Sequence, residues 1–184
     1  MLQNSTIHLT RKSASIAHPV SLSMIKSFLR VENDQDDDLI LNLISIATEY
    51  AEWYMERSLM KQKWQISCIG YIPRKIQLIF GPLIAVESVK IVLRNDSEIV
   101  VDQDLYYIDV VGSYIEFYSH FNIRRLDITY EAGHLNADLI PAQIKHGIAH
   151  HVAIAYKNRE AENSNSLSIV REIYSPFREV KVVL

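Results

Sequence analysis

The feature that most constrains the fold is a long run, from Asp36 to about Gln62, whose apolar residues recur at intervals of three and four. This is the spacing of one face of an α-helix. Three aspartates fill its first turn, where negative charge meets the positive end of the helix dipole, and Asn33 or Asp34 could cap the free amides. We predict an amphipathic helix over about 36–60, with an indistinct end because no Gly or Pro follows. Its apolar face consists of Ile40, Leu43, Ile44, Ala47, Tyr50, Ala51 and Tyr54.

At Lys63 the spacing of the apolar residues changes from helical to alternating. Short segments rich in β-branched and aromatic residues follow, and turn signals separate them. The best hairpin candidates are the segments that flank Asn95-Asp96 and those that flank Gly112. We therefore predict a small antiparallel β-unit over about 63–131.

Two further helices are predicted on either side of these segments. Ser21 is a good N-cap for a helix over about 21–30, and Pro141 suits the first turn of a helix over about 141–160. Gly147 inside the latter costs about 1 kcal/mol relative to Ala, so tight packing or simple tolerance must explain it. The fold class that follows is α+β, with a helical core formed by N- and C-terminal helices and an inserted antiparallel β-unit.

The domain organisation follows from composition and period. Residues 1–19 are polar and lack a period, so we expect a flexible N-terminal arm. Residues 20–162 are expected to form a single domain, and residues 163–184 a C-terminal tail.

Composition limits the functional classes. The 184 residues include 48% hydrophobic and 22% charged residues, as in ordinary globular proteins, and the sequence has neither a bilayer-length apolar run nor a signal-peptide core. The formal charge of -3 gives no general attraction to nucleic acid, so DNA contact would need a local patch such as Arg124 and Arg125. The lone Cys68 excludes an internal disulfide, and we interpret it as a buried structural thiol.

The usual catalytic and cofactor motifs are absent from the sequence. It contains no GxSxG turn, no GxGxxG and no GxxxxGK[ST] phosphate loop, and the carboxylates from Asp36 to Asp38 fit helix initiation. His146 and His150 are four apart, as in the zinc motif HExxH, but the segment is HGIAH and lacks the general base. We interpret the pair as structural or solvent-exposed, with an incidental or inter-subunit metal as the alternative. We therefore predict no enzyme, no cofactor and no catalytic metal.

The order of landmarks along the chain resembles a known family. Five stretches carry the resemblance: PVSLSMIKSFLRV, DDDLILNLISIATEYAEWYMERSLMKQKW, IQLIFGPLIAVESVKIV, LDITYEAGHLNADLIPAQIKHGIAHHVAIAYKNREA and YSPFR. In this order, from Pro19 to Arg178, they resemble the head-to-tail connector, or adaptor, proteins of long-tailed phages and prophages, in the longer form with a β-insertion. Met24, Phe80 and the His-rich face depart from the family pattern.

The resemblance implies a structural virion subunit that forms a ring beneath the portal, with twelve-fold symmetry, and offers a surface to the next neck or tail-completion protein. DNA would pass through the channel without sequence-specific binding. The subunit would be assembled in the host cytoplasm, would reside in the virion neck and would not contact a membrane. The alternative is a DNA-packaging accessory protein, for which Arg124 and Arg125 would face DNA.

Interface candidates follow from the resemblance and from the use of large aromatics as anchors in protein interfaces. The N-terminal arm and the tail after about Asn163 are expected to contact neighbouring rings. The helix over 141–159 is expected to serve the fold or the packing within the ring. The individual interface candidates are Tyr50, Trp53, Tyr54, Trp64, Arg159, Tyr174, Phe177 and Arg178.

Overall fold

A computed structural model describes residues 5–93, 97–119, 123–157 and 167–178. These residues form four α-helices and two antiparallel sheets, which confirms the predicted α+β class. The chain divides into two compact units. The sheet unit lies within Met1–Ser15 and Lys61–Gly133, and the helical unit within Ile16–Met60 and His134–Leu184.

The helical unit contains all four helices. The predicted helices over about 21–30, 36–60 and 141–160 are found with shorter bounds, and 158–160 lies outside the described residues. None of the helices in the described part of the chain is long and apolar enough to cross a membrane. The helices are α1 (Leu22–Leu29), α2 (Asp37–Met55), α3 (Ala142–Lys157) and α4 (Ser168–Tyr174).

Local chemistry explains where these helices begin. The Ser21 hydroxyl accepts a hydrogen bond from the Met24 amide at 3.1 Å, as predicted for an N-cap. The N-cap of α2 is Asp36, which makes no side-chain capping hydrogen bond, and not Asn33 or Asp34. The Asn33 side chain accepts a hydrogen bond from the Gln35 amide, and Asp34 pairs with Lys26. The carboxylate of Asp36 accepts a hydrogen bond from the Tyr156 hydroxyl of α3.

The predicted end of α2 near residue 60 is wrong, since the helix stops at Met55. Glu56 takes a left-handed conformation with φ of 55°, and the buried Glu52 carboxylate accepts a hydrogen bond from the Leu59 amide at 2.8 Å. These contacts turn the chain out of the helix without Gly or Pro, so the usual stop signals are missing.

The core of the helical unit draws on every helix. Burying one large aliphatic side chain fully contributes about 1.5–3 kcal/mol, so these buried side chains contribute strongly to the stability of the unit. The predicted apolar stripe of α2 provides the largest share. Fully buried side chains include Ile25, Ile40, Ile44, Ala51, Met55, Ile148, Val152, Val170 and Tyr174.

Eight strands form in the described part of the sheet unit: β1 (Ser5–Ser13), β2 (Gln62–Gly70), β3 (Lys75–Gln77), β4 (Leu83–Val92), β5 (Glu98–Val100), β6 (Tyr106–Asp109), β7 (Tyr114–Phe117) and β8 (Arg125–Ala132). Five of them form a sheet in the order β1-β2-β8-β4-β5, and three form a sheet in the order β3-β7-β6. Both predicted hairpins are present, as β4-β5 and as β6-β7. Alternate residues of β2, such as Trp64, Ile66 and Cys68, are buried, which is the period on which the prediction relied.

The flexible arm predicted for residues 1–19 is corrected by the structure. Ser5–Ser13 forms β1, which pairs along β2 with Leu9 opposite Ile66. Most side chains of β1 are exposed, because it is an edge strand held by backbone hydrogen bonds. A strand that buries few side chains has no apolar alternation, so its sequence looks like a loose arm.

The single domain predicted over 20–162 and the separate tail are also corrected. Two apolar cores form, one in each unit, and the sheet unit recruits β1 from the predicted arm. The tail supplies α4, whose Val170 and Tyr174 are fully buried in the helical core. The remainder of the predicted tail, 163–166 and 179–184, lies outside the described residues.

Candidate functional site

Side chains of α2 and of the C-terminal segment meet in an aromatic and arginine cluster formed by Tyr50, Tyr54, Arg171, Tyr174 and Arg178. Tyr50 and Tyr54 stack with ring centroids 6.1 Å apart, and Tyr174 lies 6.3 Å from Tyr54. Arg171 donates a hydrogen bond from Nε to the Tyr50 hydroxyl at 2.9 Å, and the Arg178 guanidinium lies 5.7 Å from the Tyr54 ring centroid. The cluster therefore fastens α4 to α2.

Gly147 of α3 makes room for this arrangement. A Cβ at this position would lie 2.4 Å from Cε1 and 3.0 Å from Cζ of Tyr174, and 3.1 Å from Cγ2 of Ile173. Of the two explanations left open for this glycine, tight packing is correct. Tyr174 is buried beside α3 only because residue 147 has no side chain.

His151 adds a titratable group to the same region. Its imidazole is 7% exposed and meets the Tyr50 ring edge-on, with centroids 5.0 Å apart. Burial lowers the pKa of His151 below its ordinary value, because the charged form would lose its hydration. The same desolvation raises the pKa of the buried Tyr174 phenol.

The structure brings together Tyr50, Tyr54, Tyr174 and Arg178 among the predicted interface residues, and Phe177 packs beside them against the helical core. Trp64 lies elsewhere, in the sheet-unit core, where it stacks on Phe80 with centroids 4.4 Å apart. Because Trp64 and Tyr174 are buried in this fold, we remove both from the interface candidates. Arg159 lies outside the described residues.

Trp53 is the predicted interface residue that offers a large apolar surface. Its side chain is 51% exposed, and Ile46, seven residues earlier in α2, is 50% exposed. A spacing of seven places both side chains on one face of the helix, with the exposed Glu49 between them. We name Ile46, Glu49 and Trp53 the outer face of α2. The spacing from Trp53 back to Ile46 was the signal that could have revealed this face.

The turn between β6 and β7 presents a second apolar surface, which sequence reasoning missed. Asp109 accepts a hydrogen bond from the Gly112 amide at 2.7 Å, and this bond lowers the pKa of the Asp109 carboxyl. A Cβ on Gly112 would lie 2.8 Å from the Tyr114 ring, so the turn is closely packed. Adjacent apolar residues in a hairpin turn were the available signal. The exposed side chains at this turn are Val110 and Val111, and the exposed Tyr107 lies two residues before the turn's first residue Asp109 in β6.

Arg124 and Arg125, the predicted DNA-facing residues, lie at the start of β8. Arg124 is exposed, whereas Arg125 is half-buried and donates from Nε to the Asp127 carboxylate at 3.0 Å. The ion pair offsets the charge of Arg125, so the two residues make a weaker basic patch than the sequence suggests.

His146 and His150 lie side by side at the surface of α3. Their Nε2 atoms are 3.0 Å apart, and the Phe28 ring of α1 meets both imidazoles edge-on, with centroids 6.0 Å and 5.3 Å away. The described residues contain no group of three or more His, Cys, Asp or Glu side chains that could hold a metal ion.

The lone thiol, Cys68, lies in β2 and is buried, as predicted. Burial raises the pKa of Cys68 to about 11, which keeps this thiol protonated and unreactive at neutral pH.

Comparison with known protein families assigns the chain to one of them. Residues 19–114 match the family described as phage gp6-like head-tail connector proteins. The chain belongs to this family. No curated protein sequence matches the connector.

Three solved structures with a similar fold come from gene transfer agent (GTA) particles. A chain from the neck of an empty GTA particle, computed with C6 symmetry, superimposes with a TM-score of 0.80 at 16% identity, covering 96% of the connector and 97% of that chain. A chain from the virion of the native particle gives 0.76 at 16% identity, covering 95% and 97%. A chain from the neck of the native particle, computed with C12 symmetry, gives 0.69 at 17% identity, covering 96% and 97%. At these identities the likeness is one of fold.

Family membership makes the protein a structural head-tail connector subunit, as the order of sequence landmarks predicted. The alternative of a DNA-packaging accessory protein is not favoured. The aromatic and arginine cluster stabilises the fold of the connector, because its contacts join α2 to the C-terminal segment of the same unit. The connector's exposed apolar side chains include Ile46 and Trp53 on the outer face of α2, and Val110 and Val111 at the turn between β6 and β7.

Proposed function

We propose that this connector assembles as a closed ring of twelve copies in the neck of a phage or phage-like particle. The ring docks beneath the portal and joins the DNA-filled head to the next neck or tail-completion protein. The observation that carries the proposal is the family match over residues 19–114. The described elements have ordinary structural roles, in keeping with a subunit that supports other proteins and does not catalyse a reaction.

Solved relatives of the fold support the ring. Two of them are chains of particle necks, computed with six-fold and twelve-fold symmetry. A cyclic ring requires each copy to use two different surfaces, one for each neighbour. The two units of the connector carry separate exposed apolar surfaces, the outer face of α2 and the turn between β6 and β7, that suit such contacts.

Within this proposal Trp53 is the principal anchor. Its ring is half exposed on a rigid helix, and large aromatic side chains contribute disproportionately to protein interfaces. Tyr50, Tyr54, Phe177 and Arg178 hold α4 in place and so act on the interface indirectly. Arg159 is proposed to serve packing within the ring, and the terminal residues outside the described ranges are proposed to contact the adjacent ring.

DNA is proposed to pass through the ring without sequence-specific binding. The formal charge of -3 and the pairing of Arg125 with Asp127 both argue against a strongly basic DNA-binding surface. Assembly would take place in the host cytoplasm before the connector becomes part of the neck. The alternative DNA-packaging role predicts instead a salt-dependent affinity for duplex DNA.

Electron microscopy of the purified connector, alone and mixed with the cognate portal protein, tests the ring. We expect portal complexes that carry an additional ring on one end. Connector copies that stay monomeric and never join the portal would contradict the proposal.

Trp53→Arg tests the anchor within the same assay. The substitution is at an exposed position, so we expect an unchanged fold and fewer portal complexes that carry the additional ring. The matched control is Gln143→Arg, which adds the same charge at an exposed position of α3, away from the outer face of α2. If both variants form rings as well as the original chain does, the outer face of α2 is not the ring interface.

A further inference from the structure

The imidazoles of His146 and His150 lie close enough together to bind one metal ion between them. They are four residues apart on α3, and their Nε2 atoms lie 3.0 Å from each other at the protein surface. A neutral imidazole pair at this distance shares one proton, because each Nε2 can donate or accept but not both. A metal ion could take the place of that proton.

The separation matches the bite of a metal chelate. Two Zn–N bonds of about 2.0–2.1 Å that meet at 90–110° hold their nitrogen atoms roughly 2.9–3.4 Å apart. We propose that His146 and His150 form a two-ligand site for a divalent transition metal ion of the Zn²⁺ or Ni²⁺ type. The inference stands on this geometry alone and does not depend on the proposed ring.

The surroundings hold both rings in place before a metal arrives. Phe28 packs edge-on against each imidazole, and the neighbouring Gly147 and Ile148 are buried, which fixes the face that α3 presents. Ligands that need no rearrangement lose little conformational freedom on binding. The site is therefore preorganised as far as its two imidazoles are concerned.

The number of ligands determines the kind of site. No third His, Cys, Asp or Glu completes a metal group within the described residues, whereas structural zinc sites have four ligands. The remaining coordination positions are open to water or to a side chain of another molecule. Imidazole ligands favour Zn²⁺, Cu²⁺ and Ni²⁺ over Mg²⁺, which takes oxygen ligands, so Mg²⁺ should not bind here.

Isothermal titration calorimetry of the untagged full-length protein with Zn²⁺ tests the site. We expect one binding event that Mg²⁺ does not reproduce. His146→Ala and His150→Ala should each weaken it at least tenfold, because one imidazole alone cannot chelate. The matched control is His18→Ala at an exposed position, which should leave the affinity unchanged. Equal affinity in the original chain and in both pair variants would overturn the proposal.

A second variant separates the loss of chelation from a loss of fold. Exchanging two neighbours, with Lys145→His and His146→Lys together, preserves composition and charge but places the imidazoles five apart, on different faces of the helix. We expect an unchanged helical circular dichroism spectrum and a Zn²⁺ affinity at least tenfold lower. Nitrogen-15 NMR should show Zn²⁺-induced shifts at Nε2 of His146 and His150 in the original chain. Shifts confined to other histidines, or undiminished affinity in the exchanged variant, would contradict the site.

Discussion

At the scale of single residues, Gly147 decides whether α4 can dock. An alanine would improve the intrinsic helix propensity of α3 by about 1 kcal/mol, yet its Cβ would lie 2.4 Å from the Tyr174 ring. Tyr174 cannot move aside easily, because it is fully buried and touches Tyr54 as well. Steric overlap should therefore outweigh helix propensity.

We predict that Gly147→Ala lowers the free energy of unfolding by about 1–3 kcal/mol, the usual cost of overpacking a core. Urea denaturation monitored by circular dichroism measures the change. The control is the same substitution in a Tyr174→Leu background, where the ring atoms are gone and the effect should be neutral or stabilising. An equal loss in both backgrounds would show that Tyr174 is not the cause.

His151 makes stability depend on pH. Its pKa is lowered in the folded protein by burial, so the unfolded chain takes up a proton at about the ordinary value of 6.5 while the folded chain does not. The contribution of neutral His151 to the free energy of unfolding is therefore complete above about pH 6.5 and is lost as the pH falls below that value. Burial also lowers the pKa values of His134 and His150, which act in the same direction.

We therefore predict that the free energy of unfolding decreases between pH 7 and pH 5. His151→Phe keeps an aromatic edge against Tyr50 and should reduce the slope. Urea denaturation at a series of pH values measures both chains. A slope unchanged by the substitution would exclude His151 as a source of the pH dependence.

At the scale of elements, periodicity predicted nearly every helix and strand. The apolar stripe of α2 and the alternation of β2 both reflect burial of one face, and both hairpins follow from turn signals. Periodicity missed α4, which at seven residues is too short to show a helical period although Val170 and Tyr174 are buried. It also failed at two places where burial is not the organising force. The edge strand β1 depends on backbone pairing, and α2 ends through the left-handed Glu56 and the Glu52 carboxylate.

The edge strand supports a prediction at this scale. Deleting residues 1–13 removes β1 and leaves one edge of β2 unpaired. We expect faster hydrogen exchange at the β2 amides that pair with β1, and unchanged exchange in α2 and α3. Mass spectrometry of peptides from both units measures this. Unaltered protection in Gln62–Gly70 would mean that β1 contributes nothing to the stability of the sheet.

At the scale of the whole molecule, the order of landmarks was more informative than any single residue. It predicted the connector family, which the match over residues 19–114 establishes. The roles of individual aromatics were harder to predict, because an amphipathic helix does not reveal which partner covers each side chain. Tyr174 and Trp64 are buried by contacts within their own units, whereas Trp53 remains half exposed.

The same limit applies to the histidine pair. A spacing of four indicates a shared helix face, but the 3.0 Å separation and the packing of Phe28 depend on rotamers and on α1. Local spacing thus identifies candidates, and tertiary packing decides which of them meet.

If this connector joins head and tail, its presence or absence should change the portal vertex of the particle. Cryo-electron microscopy should compare particles assembled with and without the chain. We predict a ring of density beneath the portal that accommodates copies of this fold and, without the chain, loss of that ring and heads that carry no tails. Complete tailed particles with unchanged neck density in its absence would contradict the account.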